Sequence, residues 1–221
     1  MHVKLSKKFI TENLLPHLSR SGLGRKPKVQ LWRIIKGIIY RIKTGCQWRE
    51  LPIPVFSSRI LIRWNTVYYH FNKWSKDGSW KHMWERLLEL NKRYLDMSSV
   101  QLDGSHTPAK RGGAEVAYQN RKKCKTTNAL FLTDRQGLPL CVSKPMAGNH
   151  NDLFEIEDVF SKMLSDLKGS EIETDGLFLN ADAGFDCEGF RNVCSANGII
   201  ANIDFNKRNS KDTDHQPLLD E

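Results

Sequence analysis

The hydrophobic periodicity of this chain changes once, near Met97, and that change constrains the fold more than any other feature. Before Met97, apolar residues recur at helical spacing, and after it short apolar runs of strand type alternate with helical segments. We therefore predict two domains, an all-helical one over residues 1–97 and a mixed α/β one over residues 98–221. The predicted fold class is α+β.

The N-terminal domain is predicted to contain amphipathic helices. Apolar residues from Leu31 to Ile42 follow the i, i+3, i+4, i+7 rule, and Gly45 is placed to end this helix. A second helix is predicted from Ser57 or Ser58 to about Lys76. We predict two further helices, one beginning at Ser79 and a short one over residues 6–19 that Pro16 interrupts.

Charge divides the chain at the same place. Residues 1–97 hold 20 Lys and Arg against 6 Asp and Glu, a net charge of +14, whereas residues 98–221 hold 14 against 19, a net charge of −5. A basic module of this kind suits a polyanion, and nucleic acid is the first candidate because Lys and Arg neutralise phosphates. A soluble protein with a basic face and no such partner has the same composition.

One stripe of the second predicted helix carries basic and polar residues. Their spacings of three and four place them on a single face, as in a helix-turn-helix that contacts the major groove. A solvated basic face has the same period, so both interpretations stay open, with DNA contact favoured. The stripe consists of Arg59, Arg63, Thr66, His70 and Lys73.

The C-terminal domain is predicted to be a mixed sheet with antiparallel and parallel parts. The predicted order is a strand over 98–102, a hairpin of 127–133 with 138–145, a helix from Asn151 or Asp152 to about 167, a strand over 177–182, a helix over 187–197 and a strand over 199–203. Asp103 and Asp182 then each follow a buried strand and precede a glycine by one or two positions.

Two carboxylates at the rim of a sheet form a hard-oxygen site suited to Mg²⁺ or Mn²⁺. With phosphate oxygens as further ligands, two metal ions about 3.5–4 Å apart could activate a water and stabilise a leaving oxygen. Asp-Gly pairs most often mark turns only. Taken together, at matched positions, Asp103 and Asp182 nevertheless favour a metal site.

Two basic loops in the acidic half are candidates for contact with a phosphate backbone, although such loops are often simply solvated. They contain Lys110 and Arg111, and Arg121, Lys122, Lys123 and Lys125. No apolar run reaches the length of a membrane span, no secretory signal is evident, and the five cysteines are scattered. We expect a soluble cytoplasmic protein that does not enter membranes.

Four segments carry a family resemblance. Residues 28–51, with the following Pro52, resemble the helical N-terminal domain of bacterial insertion-sequence transposases. Residues 102–107, 148–152 and 179–186 are similar to the DDE catalytic domain of the insertion-sequence-five type. The resemblance covers nearly the whole chain, and its motifs are specific in combination.

The resemblance implies a ribonuclease-H-like fold and an Asp-Asp-Glu triad that binds two divalent metal ions, Mg²⁺ or Mn²⁺. The first acid maps to Asp103, and the second maps to Asp182 rather than Asp186. It also implies hydrolytic nicking at the ends of the element, attack of the 3′-hydroxyl on target DNA, and work as a homo-oligomer on double-stranded DNA.

The family's third acid lies on a helix beyond the last strand, and Glu221 lacks that setting. We therefore expect a catalytic domain without its final helix, from truncation or frameshifting. Three functions remain in view. The first is a transposase polypeptide that cleaves and transfers DNA when complete, the second is an inactive DNA-binding form of it, and the third is a ribonuclease-H-like host nuclease.

Overall fold

The computed structural model describes residues 4–20, 29–52, 62–206 and 218–219. It divides the chain into two compact units, Met1–Leu87 and Leu88–Glu221. The change in sequence pattern places the boundary ten residues later, at residue 97. The helix that contains Leu87 ends at Asn91, between these two boundaries. Among the described residues, no helix is both long enough and apolar enough to cross a membrane.

In the described part of the first unit, the regular elements are helical. They are a short segment of mixed helical type over Lys7–Phe9, Ile10–Leu14 and Leu15–His17, α1 over Leu31–Thr44, a 3₁₀ turn over Trp48–Glu50, α2 over Trp64–Lys76, and α3, which begins in this unit and spans Ser79–Asn91. The helical elements predicted over residues 6–19, around 28–44 and from Ser79 are thus present.

Helices α1 and α2 form the centre of the first core. Ile34, Ile35 and Ile38 of α1 are fully buried in the same cluster as Val67 and Trp74 of α2. A β-carbon added at Gly37 would lie 3.2 Å from Cγ1 of Val67, so this glycine lets the two helices approach closely. Helix α1 ends as predicted, since Gly45 adopts the left-handed conformation with φ of 69°.

The second predicted helix is only partly recovered. The predicted N-caps Ser57 and Ser58 lie outside the described residues, and α2 begins at Trp64. Arg63 precedes it in an extended conformation, with φ of −92° and ψ of 145°. Arg63 is therefore off the helical face on which the sequence places it, and the helix-turn-helix stays a prediction.

In its described residues, the second unit is built on one mixed seven-stranded sheet. Its strands are β1 over Val100–Pro108, β2 over Ala117–Gln119, β3 over Cys124–Asp134, β4 over Pro139–Val142, β5 over Met146–Ala147, β6 over Phe178–Ala181 and β7 over Ile200–Ile203. The strand order is β2-β3-β1-β6-β7, with β4 and β5 also paired to β3. The helices are α4 over Ile156–Gly169 and α5 over Glu188–Ala196, with 3₁₀ turns over Lys92–Tyr94 and Ala183–Phe185.

Strand β1 joins the antiparallel and parallel parts of this sheet. It pairs antiparallel with β3 over all nine of its residues, and parallel with β6 from Val100 to Leu102 only. Strand β6 continues in parallel with β7. Alternation gives the sheet an inner face, which carries buried Leu102, Leu130 and Leu179, and an outer face of more exposed side chains.

The strand prediction for residues 98–102 is wrong at its C-terminal end. Strand β1 runs on to Pro108, so Asp103 lies within it rather than after it. Long-range pairing with β3 outweighs the weak strand preference of Gly104 and Pro108, and sequence periodicity contains no information about that pairing. The short strands β2 and β5 were not predicted.

The cap predicted for α4 is also wrong. The helix begins at Ile156 after Glu155, which is left-handed with φ of 51° and makes no capping hydrogen bond through its side chain. The predicted cap Asp152 accepts a hydrogen bond from Asn128 instead. The remaining elements, including the turn with left-handed Gly137, α5 and β7, lie close to their predicted positions.

Candidate metal and DNA-binding site

Asp103 and Asp182 lie beside each other across two parallel strands. Leu102 of β1 pairs with Ala181 of β6, and each of these two residues is followed directly in the sequence by one of the aspartates. Neighbouring strands are about 4.8 Å apart, so the last pair of this ladder, Leu102 and Ala181, is held at about that spacing directly before the two aspartates. The structure thus brings the two predicted metal ligands to one place, although 79 positions separate them in sequence.

Local backbone groups orient both carboxylates. The amide of Gly104 donates to Oδ1 of Asp103 at 2.8 Å, and the amide of Gly184 donates to Oδ1 of Asp182 at 2.7 Å. A β-carbon at Gly184 would lie 2.7 Å from that Oδ1 atom, so a glycine permits this approach. Both aspartates are exposed, and neither has a salt-bridge partner within the part of the chain that the structure describes.

These side chains fit a divalent cation by the chemistry of their donors. Carboxylate oxygens are hard ligands of the kind that Mg²⁺ and Mn²⁺ prefer, and Mg²⁺ commonly uses only one or two carboxylates plus water and phosphate. Across residues 4–20, 29–52, 62–206 and 218–219, no group of three or more His, Cys, Asp or Glu side chains is arranged to hold a metal ion. The preformed donor set is therefore a pair.

Asp204 extends the row by one strand. Ile203 of β7 pairs with Ala181 of β6. Asp204 therefore directly follows the end of β7, just as Asp182 directly follows the end of β6. Its Oδ1 also accepts a hydrogen bond from the following backbone amide, that of Phe205, at 2.8 Å. The sequence analysis missed this residue, although the same signal, an Asp directly after a predicted strand, was present.

An ion pair fixes the segments that carry the end of this row. Asp186 and Arg191 form a salt bridge at 2.7 Å, and Arg191 also donates to the carbonyl of Ile203 at 3.0 Å. The amide of Asn206 donates to Oδ2 of Asp186 at 2.9 Å. Asp186 therefore ties the chain after β6 to the chain after β7.

Another acidic residue, Asp152, approaches β1 from the inner face of the sheet. The carboxylate of Asp152 occupies the space beside Gly104, where an added β-carbon would lie 2.1 Å from Oδ1. The side-chain amide of Asn128 donates to the same Oδ1 at 2.7 Å. Asn128 is fully buried, and its own Oδ1 has no hydrogen-bond partner among the described residues. Spacing in the sequence contains no signal for this contact.

His106 belongs to a polar network next to Asn128. Nδ1 of His106 lies 3.1 Å from Oγ1 of Thr126, and Nε2 lies 3.4 Å from the amide nitrogen of Gln119, which also donates to the carbonyl of Gly148 at 3.1 Å. A Gln amide nitrogen only donates, so these contacts favour a neutral ring with its proton on Nδ1. We infer a structural role for His106.

One group of basic residues in the second unit lies beyond the carboxyl end of β1, and we call this group the basic arm. Its members are Lys110 and Arg111 in the β1–β2 loop, Arg121, Lys122 and Lys123 in the β2–β3 turn, and Lys125 at the start of β3. All six are exposed. Pro108 is five residues from Asp103, so the arm begins about 16 Å further along the sheet.

The basic residues predicted on α2 differ in their exposure and in the contacts that they make. Arg59 lies outside the described residues. Arg63 is exposed, whereas Nζ of Lys73 lies 3.4 Å from the carbonyl of Ser19 and is close enough to Asp77 to affect its ionisation. Burial, followed by the charge of Lys73, lowers the pKa of His70, so this ring is neutral near pH 7.

Comparisons with known proteins agree on the class. Residues 102–216, just over half of the chain, match the family described as "DDE superfamily endonuclease". Residues 10–84 match the family described as "Putative transposase of IS4/5 family". No protein of curated function matches the sequence significantly.

Two solved structures show a weaker likeness. One is described as "Mos1 transposase paired-end complex with left transposon end", at 9% identity, and the other as "Crystal structure of a pre-cleavage Mos1 transpososome", at 11% identity. Each match covers 83% of this chain and 61% of the other chain, with a TM-score of 0.34. The chain therefore spans less than two thirds of the length of these proteins.

The match over more than half of the chain defines the class of protein as an endonuclease-type family. The chain belongs to the DDE superfamily of endonucleases. The family implies dependence on a divalent metal ion.

Proposed function

We propose that this chain binds double-stranded DNA and presents a phosphodiester to a cation held by Asp103 and Asp182. The observation that carries this proposal is the register of β1 and β6, which puts the two aspartates next to each other. Mg²⁺ or Mn²⁺ there, with two ions in the complete site, would stabilise charge on phosphate oxygens and activate a water or hydroxyl. In the family's terms, the reaction is strand cleavage followed by strand transfer.

The protein's own part in this chemistry is to hold and orient. Asp103 and Asp182 each use one oxygen for a local backbone amide, which leaves the second oxygen of each carboxylate available to a ligand. Because the backbones of β1 and β6 are fixed by sheet pairing, the two carboxylates need little reorganisation on binding. The ribonuclease-H-like description of this fold is part of the same proposal.

The basic arm supplies the expected DNA contact. Ser105 and Thr107 lie on the same exposed strand face as Asp103, between the carboxylates and the arm. DNA that crosses this face would meet the acidic pair and the arm's positive charges along one line of about 16 Å, roughly nine to ten phosphate charges when both strands are counted. Element ends, target DNA and a homo-oligomer on DNA are the partners proposed from the family.

A second candidate is binding without cleavage. It is favoured by the preformed donor set, which consists of two carboxylates rather than three in the part of the chain that the structure describes. In that case the polypeptide would occupy element ends and dampen transposition. The two candidates share the DNA surface and differ only in the chemical step.

One experiment tests the proposal and separates the two candidates. Purified chain is mixed with labelled duplex that contains the element's ends, with Mg²⁺, Mn²⁺ or no metal, and both retention and strand nicking are measured. A scrambled duplex of equal length is the control. Preferred binding with nicking supports the transposase, preferred binding alone supports the inactive form, and equal affinity for both duplexes contradicts both and favours a host nuclease.

A further inference from the structure

The inner-face contact at Gly104 leaves one buried acceptor oxygen, Oδ1 of Asn128, without a donor among the described residues. Asn128 uses its nitrogen to reach Oδ1 of Asp152, and its own Oδ1 atom is buried without a partner among the described residues. Rotating this amide by 180° would turn its oxygen toward the carboxylate, so the orientation is fixed by chemistry. A buried acceptor of this kind normally has a partner, in the protein or in ordered water.

Strand pairing opens this place to a ligand. The ladder between β1 and β6 ends at Leu102 and Ala181, so in the described structure no strand covers the β6-side edge of β1 at Asp103 and Gly104. Asp103 reaches this edge from the outer face, and Asp152 lies against Gly104 on the inner face. The two carboxylates therefore flank the same point of β1.

We propose that Asp152 is a further acidic residue of the cation site, bound through the water shell of a divalent cation at Asp103, and that Asn128 positions it. This inference rests on the proposed function. Mg²⁺ gives up its water reluctantly and usually keeps several water ligands. Such waters can donate to Oδ2 of Asp152 and to Oδ1 of Asn128, which gives the buried Asn128 oxygen the donor that it lacks among the described residues. Water-mediated binding also agrees with the absence of a preformed group of three ligands among the described residues.

Gly104 gives a way to disturb Asp152 without changing either carboxylate chemically. In Gly104→Ala, the new β-carbon would stand 2.1 Å from Oδ1 of Asp152 and must displace it. The direct counterpart is Asp152→Asn, which keeps the shape and removes the charge. Asp175→Asn is the matched control, because Asp175 also packs against a glycine, Gly198, but does so before β6, at the opposite end of the sheet.

The test is a Mn²⁺ titration of the full chain, with free Mn²⁺ followed by electron paramagnetic resonance and folding checked by thermal unfolding. Outer ligands of a metal site typically contribute a factor of about 10–100 in affinity, so Asp152→Asn and Gly104→Ala should each weaken binding about tenfold. Asp175→Asn should bind like the wild type, and Asp103→Asn should lose most of its affinity.

The outcomes separate the inference from the function beneath it. If Asp103→Asn binds Mn²⁺ as tightly as the wild type, the proposed metal site itself is wrong. If Asp103→Asn fails while Asp152→Asn and Gly104→Ala match the Asp175→Asn control, the metal site stands and the role of Asp152 is overturned. Should Gly104→Ala unfold, Asp152→Asn alone decides.

Discussion

The acidic row, formed by Asp103, Asp182 and Asp204, and the basic arm belong to the same sheet but are held in different ways. At the row, Asp103 and Asp182 stand on paired strands, and each is oriented by a local backbone amide. At the arm, the charged side chains project from a loop, a turn and a strand end, all exposed to water. The first arrangement suits chemistry, which needs fixed geometry, and the second suits affinity for a phosphate backbone, which needs only charge.

The largest effect should come from the acidic row. Replacing both Asp103 and Asp182 by Asn removes two negative charges next to the cation. The attraction between two unit charges 4 Å apart in a medium of intermediate dielectric is about 4 kcal/mol. We expect Mn²⁺ affinity to fall at least about a hundredfold, since each 1.4 kcal/mol is tenfold. Calorimetry measures this. DNA affinity without metal should stay equal or rise, and a parallel loss of DNA binding would break the division of labour.

Removing positive charge from the basic arm should weaken DNA binding and leave Mn²⁺ binding unchanged. In the triple variant Arg121→Gln, Lys122→Gln and Lys123→Gln, the slope of log affinity against log salt should fall by about 2.7, because each phosphate contact contributes about 0.9. Fluorescence anisotropy at several salt concentrations measures the slope. Mn²⁺ affinity should not change.

The control for the arm removes the same charge elsewhere in the second unit. Arg135, Lys162 and Lys168 lie at the far end of β3 and on α4. Their triple substitution by Gln should leave the salt slope near the wild-type value. An equal loss in both triple variants would show that net charge, rather than the arm, determines affinity.

Sequence reasoning located most of this row because strands and their ends have local signatures. Apolar runs before Asp103 and Asp182 predicted both positions, and the family motifs mapped the same two residues. The actual end of β1 depends on the pairing of Pro108 with Thr126, and the contact of Asp152 with Gly104 joins residues still further apart in the sequence. No local pattern contains that information, so these features required the structure.

For the basic stripe predicted on α2, the sequence did contain a local pattern, but the pattern was misleading. Spacing alone groups Arg63 and Lys73 on one face, but the described helix begins after Arg63. Lys73 bonds to the carbonyl of Ser19, a contact across more than fifty residues. Helical periodicity predicts which residues share a face only where the helix exists, and it does not predict whether a charge already has a partner.

A matched pair on α2 sharpens the comparison between free and occupied charges. Arg63→Ala should lower the salt slope of DNA binding by about 0.9, because this exposed side chain can neutralise a phosphate. Lys73→Ala should lower it by less than half as much, because Nζ of Lys73 is already bonded to a carbonyl. Anisotropy titrations of both variants provide the measurement. Equal slopes for the two variants would mean that the contact with Ser19 breaks when DNA binds.

The smallest expected effect concerns the acidic partner near Lys73. Partial burial acts to raise the pKa of Asp77, but hydrogen bonds from the hydroxyls of Ser19 and Ser79 and from the Ser79 amide, with the charge of Lys73, lower it overall from 3.8. A depressed pKa adds stability that is present above the unfolded value and is lost as the pH falls through the folded value.

Asp77→Asn should therefore lower the free energy of unfolding at pH 6, by at most about 1 kcal/mol because Asp77 is largely exposed and water screens its charge. The difference from the wild type should shrink near pH 3, where the wild-type carboxylate is becoming protonated. Urea unfolding at both pH values measures it, with Asp158→Asn, on the exposed side of α4, as the control. A difference that stays constant with pH would mean that Asp77 acts through shape and hydrogen bonding alone and that its charge adds no stability.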